Sequence, residues 1–110
     1  MKPMVSEIQK AVCHQYGLRK SDMASAERTR CVARPRQIAM FLAREMTTHS
    51  LPEIARIFGR RDHTTVFYAV ERVRSLMIDI PEIALDVSRL RVRIQKMVTD
   101  RAVLTFREAA

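Results

Sequence analysis

Glycine is nearly absent from this chain: Gly17 and Gly59 are the only two in 110 residues. A phosphate loop of the form G-x-x-x-x-G-K-[ST] needs glycines at a spacing that these two do not have, so ATP binding by that route is excluded. Cysteine is scarce too. Cys13 and Cys31 form no C-x-x-C pair, and no two histidines stand at ligand spacing. A structural zinc site usually wants four ligands, so both are read as reduced thiols, with Cys13, His14 and Cys31 as the one metal alternative. No apolar run approaches the ~20 residues of a membrane span, and no signal-peptide pattern precedes a cleavage site. The expectation is a soluble, cytoplasmic protein with no membrane partner. Ser-His-Asp, paired-carboxylate and H-E-x-x-H constellations are all missing, which points to a binding module and not an enzyme. Period-two alternation, the mark of strands, nowhere outcompetes the helical period.

What is present is apolar sequence at helical spacing and an excess of positive charge. The chain is 47% hydrophobic and carries a formal net charge of +8. Residues 1–77 hold 14 Lys/Arg against 7 Asp/Glu, whereas residues 78–110 hold 6 against 5. The surplus therefore belongs to the first segment, as suits a surface facing phosphate. Val5, Ile8, Val12 and Tyr16 predict a helix from Pro3 that closes at Gly17, and Ser21 to Ala24 a single further turn. Residues 25–34, with Arg28, Arg30 and Arg34, read as a basic loop. Pro35 suits the first turn of a helix running to about Thr47, with Ile38, Phe41, Leu42 and Met46 inward.

The most informative stretch is 50–77. Ser50 and Glu53 make an S-x-x-E capping box; Leu51, Ile54, Ala55 and Phe58 form an apolar face; Gly59 ends the helix. A second helix opens at Asp62 as N-cap, with Val66, Ala69, Val70, Val73, Leu76 and Met77 at buried spacing. Two helices around a short glycine-containing turn are the sequence form of a helix-turn-helix, whose second helix enters the major groove of DNA. Its outer face keeps Asp62, His63, Thr64, Tyr68, Arg72 and Ser75. Beyond it, Asp79 and Pro81 predict a new helix start, and Ile83, Val87, Leu90, Ile94 and Met97 a stripe ending near Arg101, with a less patterned tail to Ala110.

Three runs in order, Val32-Ala33-Arg34-Pro35-Arg36-Gln37-Ile38-Ala39-Met40, Ser50-Leu51-Pro52-Glu53-Ile54, and Arg61-Asp62-His63-Thr64-Thr65-Val66 after Gly59, resemble the C-terminal DNA-binding domain of the bacterial replication initiator DnaA. The resemblance is close over residues 4–77 and looser over 78–97. It implies an all-α compact helical bundle, Trp-repressor-like in its helix-turn-helix, with an extra C-terminal helix. Residues 1–77 would be the DNA-binding domain, and 78–110 a helix and tail that pack on it or mediate dimerisation.

Carried over position by position, the resemblance implies base contacts by Asp62, His63, Thr64 and Thr65 in the major groove and by Arg28 in the adjacent minor groove. It implies phosphate contacts by Arg30, Arg36, Gln37, Arg61 and Arg72. The chemistry agrees, since a carboxylate accepts from a cytosine amino group and a threonine methyl packs on thymine. Ala26 and Glu27 depart from a stretch that is usually basic in the family, and Tyr68 and Glu71 from its commonest choices.

The partner implied is double-stranded DNA at sites like the DnaA box, a short asymmetric AT-rich element, with no cofactor, metal or nucleotide. The expected role is a stand-alone, nucleoid-associated regulator of replication initiation or transcription. A DNA-binding piece of a full-length initiator and a dimeric architectural protein of low sequence preference are the alternatives. A monomer is favoured over a dimer paired through the C-terminal helix, because two heptads are short for a coiled coil.

Overall fold

The computed structural model describes residues 1–109. Among them every regular element is helical: α1 (Val5–Tyr16), a short 3-10 turn (Lys20–Met23), α2 (Arg30–Met46), α3 (Leu51–Ile57), α4 (Thr64–Asp79) and α5 (Pro81–Ala109). The predicted all-α bundle is what forms. Its core draws on every α-helix: Ile8 and Val12, Ile38 and Leu42, Ile54, Val66 and Val73, and Leu90 and Ile94 are all fully buried, as is Phe58 just after α3. No described helix is long and apolar enough to cross a membrane.

Each helix end has a local cause. At α1, Gly17 takes φ +67° and the Leu18 N–H returns to the Cys13 carbonyl at 2.9 Å. In α3, the Ser50 Oγ accepts the Glu53 N–H at 3.3 Å while the Glu53 carboxylate accepts the Ser50 N–H at 3.0 Å, the predicted capping box. The far end of α3 is a Schellman motif. Gly59 at φ +70° donates to the Arg56 carbonyl at 3.0 Å, and Arg60 reaches back to the Ala55 carbonyl at 2.7 Å.

Five predicted boundaries are corrected. α1 begins at Val5, not Pro3, and Asp79, expected to cap the last helix, is the final residue of α4, with α5 opening at Pro81. α2 begins at Arg30, a turn and more before Pro35, so the basic segment from Arg30 to Arg34 is helical and the loop covers only 24–29. Thr29 is the N-cap, its carbonyl accepting from Val32 and Ala33 at 2.9 and 2.8 Å. Pro35 consequently lies inside the helix, where it withholds an N–H from the carbonyl of Cys31, a residue exposed enough for solvent to replace it. α4 begins at Thr64, not Asp62; Asp62 caps from outside, its Oδ1 accepting the Thr64 N–H at 2.9 Å. α5 continues past Arg101 to Ala109, because no glycine or proline follows Pro81 to stop it.

α5 covers α1. Val87, Leu90, Ile94 and Val98 are buried in the core with Val5, Ile8 and Val12. Polar latches run along the seam: Tyr16 donates to Asp86 at 2.9 Å, and Arg101 makes two bonds to the Glu7 carboxylate at 3.0 and 3.1 Å. Arg91 makes two more to Glu45 near the end of α2, both 2.7 Å. Burial and the Asp86 carboxylate push the Tyr16 phenol up, so it stays a donor; the Arg101 guanidinium holds Glu7 below the usual carboxylate range.

Candidate nucleic-acid interface

α3, its glycine turn and α4 form the helix-turn-helix, and the amino-terminal end of α4 stands clear of the core. Asp62, His63 and Thr65 are exposed and Thr64 is half-buried, while the next residue, Val66, is fully buried. That switch from exposed polar to buried apolar fixes which way the helix end points. The Thr64 N–H, followed by the Thr64 hydroxyl, holds the Asp62 carboxyl below its usual range, so Asp62 is an acceptor at neutral pH.

Beside this end lies a shallow groove of about 720 Å³ lined by Gln37, Thr65, Tyr68, Ala69, Glu71 and Arg72. It brings together Gln37 of α2 with Thr65 and Arg72 of α4. Arg34, one turn before Gln37, is half-buried; burial and the neighbouring guanidinium groups of Arg30 and Arg72 push its pKa down. Arg30, Arg34 and Arg72 are therefore one cluster of like charge, built where α2 starts and α4 passes. Such a cluster suits an anion that can lie across two helices. The resemblance assigns no contact to Arg34, although it does to Arg28 and Arg30 of the same predicted loop; with α2 starting at Arg30, Arg34 lies on that helix, one turn before Gln37. Arg61 is exposed in the turn, and Arg28 is exposed on the 24–29 loop.

Arg36 is held differently from the other expected phosphate contacts. Expected on phosphate, it is buried, 7% exposed, and its guanidinium donates to the Asp22 carbonyl at 3.1 Å, the Ser25 Oγ at 3.0 Å and the Glu27 carbonyl at 2.9 Å. Burial, then the proximity of Arg60, pushes its pKa down. Those bonds fasten the 22–27 loop to α2, and the same side chain lines a small cavity with Gln37 and Thr65. Glu27 also has a structural task. Its carboxylate accepts the Thr29 N–H at 2.9 Å and the Thr29 hydroxyl, which orders the loop where α2 begins. Cys13 and Cys31 stay apart: Cys13 is buried with Sγ 3.5 Å from the Arg19 carbonyl, Cys31 is exposed, and among the described residues no three His, Cys, Asp or Glu side chains gather as metal ligands.

The sequence model for the bacterial dnaA protein helix-turn-helix matches residues 5–73, well over half of the chain. The chain belongs to that family. Among its relatives are proteins named chromosomal replication initiator protein DnaA. That of Gluconobacter oxydans is 54% identical over 87 residues, covering 79% of this chain and 18% of the relative. That of Sphingopyxis alaskensis is 51% identical over 87 residues, covering 79% and 19%, and that of Roseobacter denitrificans 51% over 90 residues, covering 82% and 20%. The chain thus spans about a fifth of the length of these DnaA relatives. The matched family region ends within α4, so α5 lies beyond it, although the longer alignments exceed that region in length.

Proposed function

We propose that this DnaA-family chain binds double-stranded DNA in a sequence-specific manner at DnaA-box-like sites. The observation that carries the reading is the end of α4, where Asp62, His63, Thr64 and Thr65 present acceptors, donors and methyl groups beside a cluster of arginines. In this arrangement α4 enters the major groove and those four residues meet base edges. Arg30, Gln37, Arg61 and Arg72, joined by Arg34, hold phosphates and set the helix in register without reading sequence. Arg28 reaches the adjacent minor groove, whose narrow A·T-rich form attracts an arginine. Residues 1–77 carry the DNA surface; Val87, Leu90 and Ile94 of α5 complete the core.

The 110 residues contain no phosphate loop, so what they bring to a box is occupancy and not ATP-driven assembly. The biological reading is a cytoplasmic, nucleoid-associated regulator that occupies boxes used in replication initiation or transcription. Titration of the protein onto a duplex carrying one DnaA box and onto a scrambled duplex, at low and moderate salt, tests it. Tighter binding to the box is expected. If about six phosphates are contacted, affinity falls about a thousandfold between about 50 and 200 mM salt. Equal affinity for both duplexes at every salt supports a low-specificity architectural protein instead.

A further inference from the structure

We propose that Arg60 is a positioning residue that ties the helix-turn-helix turn to the 24–27 loop, fixing Arg28 relative to the end of α4 so that the two DNA-reading elements act as one unit. The inference rests on the DNA-binding reading above. Arg60 follows Gly59 in the turn and precedes Asp62 by two residues; it lines a small cavity with Arg36, Gln37 and Thr65, and its guanidinium reaches across to the 24–27 loop. One nitrogen donates to the Ser25 carbonyl at 2.7 Å and another to the Ala24 carbonyl at 3.5 Å, across 35 and 36 residues of sequence. The turn itself touches the same place. A Cβ at Gly59 would meet the Ala24 Cβ at 3.4 Å, so the turn and the loop are in van der Waals contact.

Arg36 holds the same loop from α2, and Ser25 is the shared node: its carbonyl takes Arg60, its hydroxyl takes Arg36. Arg36 also takes the Glu27 carbonyl, which pins the peptide leading into Arg28, while Thr29 on the far side is already the cap of α2. Arg28 is therefore an exposed side chain on a backbone fixed on both flanks. Its base is tied to α4 indirectly through α2, which packs on α4, and directly through Arg60 and the Gly59–Ala24 contact in the turn that leads into α4. Two carbonyl oxygens at adjacent residues are a target for a planar fork; a lysine ammonium would keep the charge without spanning both.

The rival role for Arg60 is direct phosphate contact, and a thermodynamic cycle separates the two. Arg60→Ala, Arg28→Ala and the double variant are titrated onto a duplex carrying one DnaA box, and onto the same duplex with the A·T pairs of the flank nearest Arg28 changed to G·C, which puts a guanine amino group into the minor groove. The expected result is that Arg60→Ala weakens box binding about tenfold, as for partners in one network, that the loss vanishes in the Arg28→Ala background, and that discrimination between the two flanks shrinks. Arg60→Lys is expected to behave like the alanine variant, and it carries the test if alanine fails to fold by circular dichroism. Losses that add independently to Arg28→Ala, or full rescue by lysine, overturn the proposal in favour of a phosphate contact. A wild-type protein that does not distinguish box from scrambled duplex sinks the sequence-specific reading and this inference with it.

Discussion

Arg36 and Arg72 carry the same side chain and stand on neighbouring helices, but one faces loop carbonyls and the other faces solvent. Their substitutions should separate accordingly. Arg36→Ala leaves the carbonyls of Asp22 and Glu27 without their charged donor, and a loss of about 2 kcal/mol of folding stability is expected, measured by urea unfolding. An unchanged midpoint would show that the loop has other support. Arg72→Ala should leave the midpoint where it is and weaken specific and random duplexes alike, since a phosphate contact carries no sequence information. His63→Ala should do the opposite on DNA, losing about 1 to 3 kcal/mol on the preferred site and little on random sequence. Equal losses on both would remove His63 from base reading. Asp62→Ala needs a thermal melt alongside its titration, because its carboxylate also satisfies the Thr64 N–H.

At the level of elements, capping chemistry and apolar period made the helix-turn-helix legible. The Ser50–Glu53 box, Gly59 and the buried positions of α4 all stand where local rules put them. The box has a pH consequence. Bonds from the Ser50 backbone N–H first, then the Ser50 hydroxyl and His49, hold Glu53 at about 2, below its ordinary 4.5. A depressed carboxyl contributes stability above its unfolded value and loses it as pH falls through the folded one. Between pH 4.5 and 2 the wild-type melting temperature should therefore drop more steeply than that of Glu53→Gln; parallel curves would mean that the carboxylate is not engaged in solution. What local rules missed was the direction of long side chains. Arg36 could have been placed, because Ala39, Met40 and Ala43, at the following helical steps, are all buried and put it on the inner face. Arg60 could not: its partners lie 35 residues away, and nothing in the turn sequence marks an inward guanidinium. The early start of α2 was hidden by Pro35, whose usual place is the first turn.

For the whole molecule, α5 settles how the aliphatic stripe is covered. Val87, Leu90 and Ile94 are fully buried against the chain's own core, so the seam a second copy would need is already occupied. Leu90→Ala should cost about 2 to 5 kcal/mol by opening a cavity at a fully buried position, and Leu90→Glu should unfold the chain, not merely separate two folded copies. Association has to be probed on the outer face of α5, where Leu85, Val92 and Phe106 are exposed at steps of seven and fourteen residues. Arg89, Arg93 and Lys96 are exposed on this helix too, and like charges brought together across a helix pair are unfavourable. The expectation is a monomer by sedimentation at micromolar concentration, with Val92→Glu leaving both the mass and the melting temperature unchanged. A wild-type dimer that Val92→Glu dissociates into folded single chains would replace one protein per asymmetric box with two on paired half-sites, whose spacing the helical repeat of DNA would then dictate.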